Sequence, residues 1–283
     1  MEESATKDSV GRRSRFQRMP KGKRLFLTER DLCILRSLYR CRYLRATQLV
    51  SLLRPKSEKR FIERLGDLYH EVGLIDRPAA QWRRFDARYQ SIVYQLSPKG
   101  LHLLRERGEL PRRAVTFSTG GRSNPAPQFD HAMMIVDALV GIEQETRKKR
   151  GQRFVPVDEI LARMRTKGIC NNCVKHPLAV SVTISTSRHL PFLTKPLTTH
   201  LIPDALYGIE QLIDGEKRYR FFALECENTS PKTRTTARHS SLALKQAAYE
   251  AFIGQRRYRE AWGIPNLSLQ LVGHSGEAEP SLQ

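Results

Sequence analysis

The chain has no run of 18 consecutive apolar residues, so no membrane-spanning helix is expected. It has no apolar segment of signal-peptide type near its N-terminus, so secretion is not expected and a cytoplasmic location is. Cysteine is scarce: five residues cannot all pair, which fits a reducing compartment where thiols stay free. Histidine is nearly as sparse. Its eight copies form no His-x-His and no His-x₃₋₅-His pair, and there is no second CxxC, so neither a three-histidine metal centre nor a complete zinc-finger pattern is present. No internal repeat is detectable. The largest deficit is acidic: 29 Asp+Glu stand against 49 Lys+Arg, a formal net charge of +20 and a pI near 10.2. Such a balance says little about fold but favours polyanionic partners, nucleic acid first among them.

The charge is uneven. Residues 1–113 hold 27 Lys+Arg and 13 Asp+Glu, net +14, and the remaining residues only net +6. A length of 283 residues suits two domains, each large enough for its own core. The expected organisation is a basic disordered arm (1–26), a DNA-binding domain (27–113), a Gly/Pro-rich linker (114–127), a catalytic or regulatory domain (128–275) interrupted by an insertion (160–200), and a short tail (276–283).

In the arm, Arg12, Arg13, Arg15 and Arg18 are closely spaced, and such a segment can settle on phosphates or enter a minor groove. A merely solvating tail is the alternative. Thr28 is a good N-cap with Asp31 three residues on, and Leu32, Ile34, Leu35, Leu38 and Tyr39 supply the apolar stripe of a first helix. A second helix is expected near Thr47 to Leu53. A third is expected from Ser57 to Val72, its apolar stripe Phe61, Ile62, Leu65, Leu68 and Tyr69 opposed by Lys59, Arg60 and Arg64. Then come Leu74-Ile75-Asp76-Arg77, a basic loop with Arg83, Arg84 and Arg88, the strand-like Ile92 to Leu96, and a fourth helix opened by Ser97-Pro98. Helix, helix, helix, strand, basic loop, strand is the order of a winged helix-turn-helix. Duplex DNA is the expected partner, with Lys59, Arg60, Arg64 and the loop arginines as contacts. A protein-binding winged helix is the alternative that the clustered arginines disfavour.

The second half carries a different signal. Pro203-Asp204-Ala205-Leu206 opens one strand-like stretch, Leu201 to Ile209. Phe221 to Glu225 forms another, followed by Cys226 and Glu227. Side chains alternate along a strand, so Glu225 and Glu227 would leave from one face, and pairing of the two strands would bring Asp204 to them. Three carboxylates held that close are unfavourable unless a cation neutralises them or a proton is shared, and a cation is the expected answer. Mg²⁺, or Mn²⁺, takes hard oxygen ligands and leaves positions open for water and phosphate. The segment from Arg238 to Arg259 has helical composition, which places Lys245 and Tyr249 on one face, four residues apart. A helix from Pro127 to Lys149, a strand at Phe154 to Glu159 and a final strand near Leu267 to Val272 complete this domain. The expected fold class is α+β, a winged helix-turn-helix followed by an α/β restriction-endonuclease-like domain.

The Asp strand and the following Glu-x-acid strand resemble the PD-(D/E)xK nuclease superfamily, with one departure: Glu227 stands where that pattern has Lys, and Lys245 on the helix can restore the missing cation. The winged-helix order, the helix bearing His131, the Pro-Asp-Ala strand, the Glu225 strand ending in Asn228-Thr229 and the Lys-x-x-x-Tyr helix together resemble the replication-relaxation family, from about Leu27 to Val272. That family includes MOBC-type relaxases. The resemblance implies a metal-dependent relaxase that recognises a transfer origin and nicks one strand, for plasmid or integrative-element mobilisation. Its metal ligands would be Asp204, Glu225 and Glu227, with Lys245 and Tyr249 completing the catalytic set. Water or Tyr249 could be the nucleophile, accessory relaxosome or coupling proteins could be partners, and a dimer is compatible with the sequence. Two other functions stay open: a regulator binding an operator through the winged helix, its second domain non-catalytic, and an endonuclease of recombination or transposition making double-strand breaks. Cys170-Asn171-Asn172-Cys173 has the spacing of half a zinc site, which His176, His189 or His200 would have to complete. A reduced surface turn is the favoured reading there.

Overall fold

The computed structural model describes residues 14–83, 90–110, 126–166, 178–186, 190, 193–227 and 242–273. The chain is of mixed α+β type and divides into two compact units, residues 1–136 and 137–283. The boundary falls within one helix, so that the first turns of the helix anticipated to open the second domain are counted with the first unit.

The first unit runs α1 (Glu29–Cys41), β1 (Tyr43–Arg45), α2 (Ala46–Leu53), α3 (Glu58–His70), β2 (Ile75–Asp76), a 3₁₀ turn (Ala79–Arg83), β3 (Val93–Leu96) and α4 (Pro98–Glu106). Its three short strands form an antiparallel sheet in the order β1-β3-β2. Local chemistry fixes the helix starts. Thr28 and Asp31 form a capping box at α1, the Ser57 and Ser97 hydroxyls each accept a backbone N–H three residues on, and Pro98 occupies a first-turn position that needs no donor. Ile34, Leu35 and Leu38 of α1 are fully buried, as are Leu49 of α2 and Leu65 and Leu68 of α3. Gly100 sits where α4 meets the turn after α3: a Cβ there would come 2.2 Å from the Leu74 carbonyl oxygen.

Residues 14–26 were expected to form part of a disordered arm. They instead lie along the first unit, tied chiefly through backbone groups. The Tyr69 hydroxyl donates to the Phe16 carbonyl (3.1 Å), and Arg18 donates to the Tyr69 and Ile75 carbonyls and pairs with Asp76. The Met19 N–H donates to His70 Nδ1 (3.1 Å) and the Lys21 N–H to Glu71 (2.8 Å).

The helix α5 (Ala126–Lys148) crosses the division. In the first unit its Phe129 and Met133 pack on Tyr43 and Val93 of the sheet, with the Tyr43 and Phe129 rings edge to face. The second unit continues with β4 (Gln152–Val155), α6 (Val157–Thr166), β5 (Val180–Ile184), β6 (Leu197–Leu201), β7 (Ala205–Ile213), β8 (Glu216–Cys226), α7 (Leu242–Gly254), α8 (Tyr258–Trp262) and β9 (Ser268–Val272). Its main sheet has the order β4-β7-β8-β9; β9 is parallel to β8 and the other pairs are antiparallel. β5 and β6 form a separate hairpin-like pair within the region anticipated as an insertion.

Two elements differ from expectation. The strand anticipated over Phe154 to Glu159 stops at Val155, because Pro156 has no N–H for the ladder and its carbonyl accepts the Glu159 and Ile160 N–H groups that open α6. The long helix anticipated from Arg238 to Arg259 is two helices, α7 and α8, separated around Arg256, which has φ near +53°. Among the described residues no helix is long and apolar enough to cross a membrane.

Candidate active site

The central hairpin of the second unit builds the site. Its register pairs Ala205 with Leu224 and Ile213 with Glu216, and Asp204 stands immediately before β7. The Asp204 carboxylate therefore sits at the far end of β8, where its Oδ2 accepts the Cys226 backbone N–H at 2.9 Å. On β9, Leu271 is in register with Glu225, and the Val272 carbonyl accepts the Glu227 N–H. The end of β8 is thus held on both sides.

Glu225 is 3% exposed. Lys245 of α7 is ion-paired with its Oε2, and Tyr249, one turn further along the same helix, donates its hydroxyl to Oε1 at 2.6 Å. The expected sharing of a helix face by Lys245 and Tyr249 is realised, and both side chains converge on one carboxylate. Burial pushes the Glu225 carboxyl up to about 7; the Asp204 charge adds to the rise, while Lys245 and Tyr249 draw it back. Burial acts against the Lys245 ammonium, but the Glu225, Asp204 and Glu227 carboxylates outweigh it and hold the ammonium pKa above its usual range. Burial likewise raises the Cys226 thiol to about 12 and lifts the Tyr249 phenol well above its ordinary range. Tyr249 is 1% exposed.

The arrangement is an anionic pair, Asp204 and Glu225, with the half-buried Lys245 ion-paired to Glu225 and its charge favoured also by Asp204 and Glu227. Its hard oxygen donors have the chemistry of a Mg²⁺ or Mn²⁺ site, and a cation there would offset the Asp204 charge that adds to the rise burial imposes on the Glu225 carboxyl. Strand alternation predicts Asp204, Glu225 and Glu227 together; among the described residues no three His, Cys, Asp or Glu side chains are gathered as a ready-made metal-binding group. Glu227 lies one residue past the end of β8, so strand alternation no longer dictates its direction.

The nucleic-acid candidates divide. Lys59 and Arg60 are exposed on α3, as expected. Arg64, expected beside them, is turned inward: Nε and Nη2 donate to the two oxygens of Asp31 at 2.9 and 2.6 Å, and Nη2 also reaches the Phe26 carbonyl at 2.7 Å. The reason is Asp31, a fully buried capping-box carboxylate that needs a counter-charge. Arg15 is half-buried and donates to the Gln90 carbonyl, its pKa lowered by burial and by the charge of Arg77. Arg83 closes the 3₁₀ turn, and its side chain lies outside what is described. Arg12, Arg13, Arg84, Arg88, Cys170 and Cys173, with the linker core, Asn228-Thr229 and the tail, lie outside the described residues. His131 is on the part of α5 counted with the first unit. The sequence reading missed the Asp31–Arg64 pair, because no local pattern links a residue of α1 to one thirty-three positions on in α3.

A model of the replication-relaxation family matches residues 35–267. No curated protein matches, and no solved structure does.

Proposed function

We propose, from the premise that this chain belongs to the replication-relaxation family, that it is a DNA-binding relaxase which nicks one strand at a transfer origin, of the MOBC type, during plasmid or integrative-element mobilisation. The observation that carries this reading is the convergence of Asp204, Glu225, Lys245 and Tyr249 at one end of the β7–β8 hairpin. The order of elements in residues 28–106, with Lys59 and Arg60 exposed on α3, supports a winged helix-turn-helix as the DNA grip. The order of the second unit supports an endonuclease-like core.

Asp204 and Glu225 would hold Mg²⁺ or Mn²⁺, with Glu227 the further carboxylate within reach of Lys245. When bound, such an ion supplies Lewis-acid polarisation of a phosphate oxygen and an acidified water. The protein's own residues do the rest. Lys245 neutralises charge developing on the scissile phosphate, standing in for the lysine that Glu227 replaces. Tyr249 fixes the Glu225 carboxylate through Oε1. Water is the nucleophile in this reading, because the Tyr249 hydroxyl is buried and directed at a carboxylate.

Supercoiled plasmid carrying the element's own candidate origin, incubated with Mg²⁺ or with EDTA, tests the proposal. Open-circle product with Mg²⁺ alone is expected, and Glu225→Gln and Lys245→Ala should each lower its rate by 100-fold or more, on the order of 3 kcal/mol of transition-state stabilisation. Full activity in both variants, or linear product from the start, overturns the reading. One observation favours a second function, a DNA-binding regulator of replication or transfer: both oxygens of Glu225 are already engaged within the protein. Specific DNA binding with no metal-dependent product would select it.

A further inference from the structure

Three features of the first unit meet at the edge of α3. Residues 19–26 run antiparallel to the helix, Met19 against His70, Lys21 and Lys23 against Glu71, Lys23 also against Asp67, and Phe26 against Arg64. The contact at the end of this strap is made by the Phe26 carbonyl, which accepts from the same guanidinium that neutralises buried Asp31. The Phe26 backbone is therefore tied to the interior of the unit, while the residue as a whole is 87% exposed, more than Leu212 at 55% or Trp82 at 43%. Exposed cations lie near it along the chain and on the helix to which it is tied: Arg24 two residues before, Arg30 in the first turn of α1, and Arg60 one helical turn from Arg64.

An aromatic ring presented to solvent on an anchored backbone costs little further ordering when it is covered by a partner. Its cationic surroundings fit a polyanion and disfavour an apolar protein surface. We infer that Phe26 is a DNA-contacting side chain, a wedge that enters between bases while Arg24, Arg30 and Arg60 take the flanking phosphates; this rests on the DNA-binding reading of the first unit. Apolar side chains inserted at base steps unstack them, and the contact energy is tolerant of sequence because every base offers a π-face. In this arrangement the strap and α3 form one continuous interface, with Arg64 as the internal brace that holds the two together.

Full-length protein and a duplex containing 2-aminopurine provide the test, with affinity measured across a salt series. Wild-type protein should raise 2-aminopurine fluorescence on binding. Phe26→Ala should abolish that rise and weaken binding roughly tenfold, without changing the dependence of log affinity on log salt, since a phenyl ring displaces no counterions. Phe26→Trp should restore both signals. The Arg24→Ala variant should instead reduce the salt slope by about one. Unchanged affinity and fluorescence response in Phe26→Ala overturn the inference while leaving DNA binding intact. Failure of the wild type to bind duplex DNA at all removes the underlying reading as well. A dimer that sediments as such in the wild type and dissociates in Phe26→Ala, with DNA affinity unaltered, would assign the ring to a second copy and overturn the wedge.

Discussion

Asp31 is a carboxylate with no access to solvent, and it accepts four hydrogen bonds: Oδ2 from the Thr28 N–H, the Thr28 hydroxyl and Arg64 Nη2, and Oδ1 from Arg64 Nε. Burial pulls its pKa up, and the Arg64 and Thr28 hydrogen bonds overcome that pull, so the carboxyl titrates below its usual range. A depressed carboxylate contributes stability above the unfolded-state pKa of about 4 and loses it as the pH falls below that value. Arg64→Ala should therefore cost about 3 kcal/mol at pH 7, as expected when one member of a buried pair is removed. The wild-type advantage should shrink as the pH falls below the unfolded-state pKa of about 4, and urea unfolding of the two proteins from neutral into acid pH measures both quantities. A loss of DNA affinity at pH 7 in Arg64→Ala with no change in stability would return this residue to the DNA face. The sequence could not distinguish Arg64 from Arg60, because both sit opposite the apolar stripe of one helix. Only the tertiary position of Asp31, thirty-three residues earlier, separates them.

Elements whose formation depends on short-range chemistry were legible. Helix starts at Thr28, Ser57 and Ser97, the strand before Glu225 and the i, i+4 pairing of Lys245 with Tyr249 follow from caps and periodicity alone. Elements that depend on a single donor or on distant partners were not. Pro156 ends β4 where the apolar run Phe154-Val155-Pro156-Val157 reads as continuous strand, and the strap over residues 14–26 has no periodicity because its partners elsewhere in the unit are backbone carbonyls and side chains thirty-eight or more residues away. The hairpin that presents Asp204 to Glu225 rests on another close approach. Gly208 of β7 pairs with Phe221 of β8, and a Cβ there would meet the Phe221 ring at 2.9 Å and Val155 at 3.3 Å. Gly208→Ala should destabilise the protein by about 1 to 3 kcal/mol through overpacking. The damage should be greatest at the end of the hairpin that carries Asp204 and Glu225. Thermal melting together with backbone amide exchange at Leu224 to Cys226 checks this, and unchanged protection there would show that the two strands give way without moving the site.

At the scale of the whole molecule the charge follows the division of the fold. Residues 1–136 carry 28 Lys+Arg against 14 Asp+Glu, and residues 137–283 carry 21 against 15. Family membership implies engagement of DNA, and in such complexes affinity is dominated by counterions released from phosphates, each contact adding roughly 0.9 to the slope of log affinity against log salt. The excess charge of the first unit predicts that this slope arises mainly there. Replacing Lys59 and Arg60 together by Ala should lower it by about two and weaken binding most at low salt. Replacing Arg218 and Arg220, exposed on β8, should leave it nearly unchanged. Both double variants change the net charge equally, so a general effect of total charge would move the two alike, and only local contact can separate them. Equal slopes in the two variants would place the grip elsewhere than on α3. A larger loss from the β8 pair would mean that the second unit holds DNA for itself.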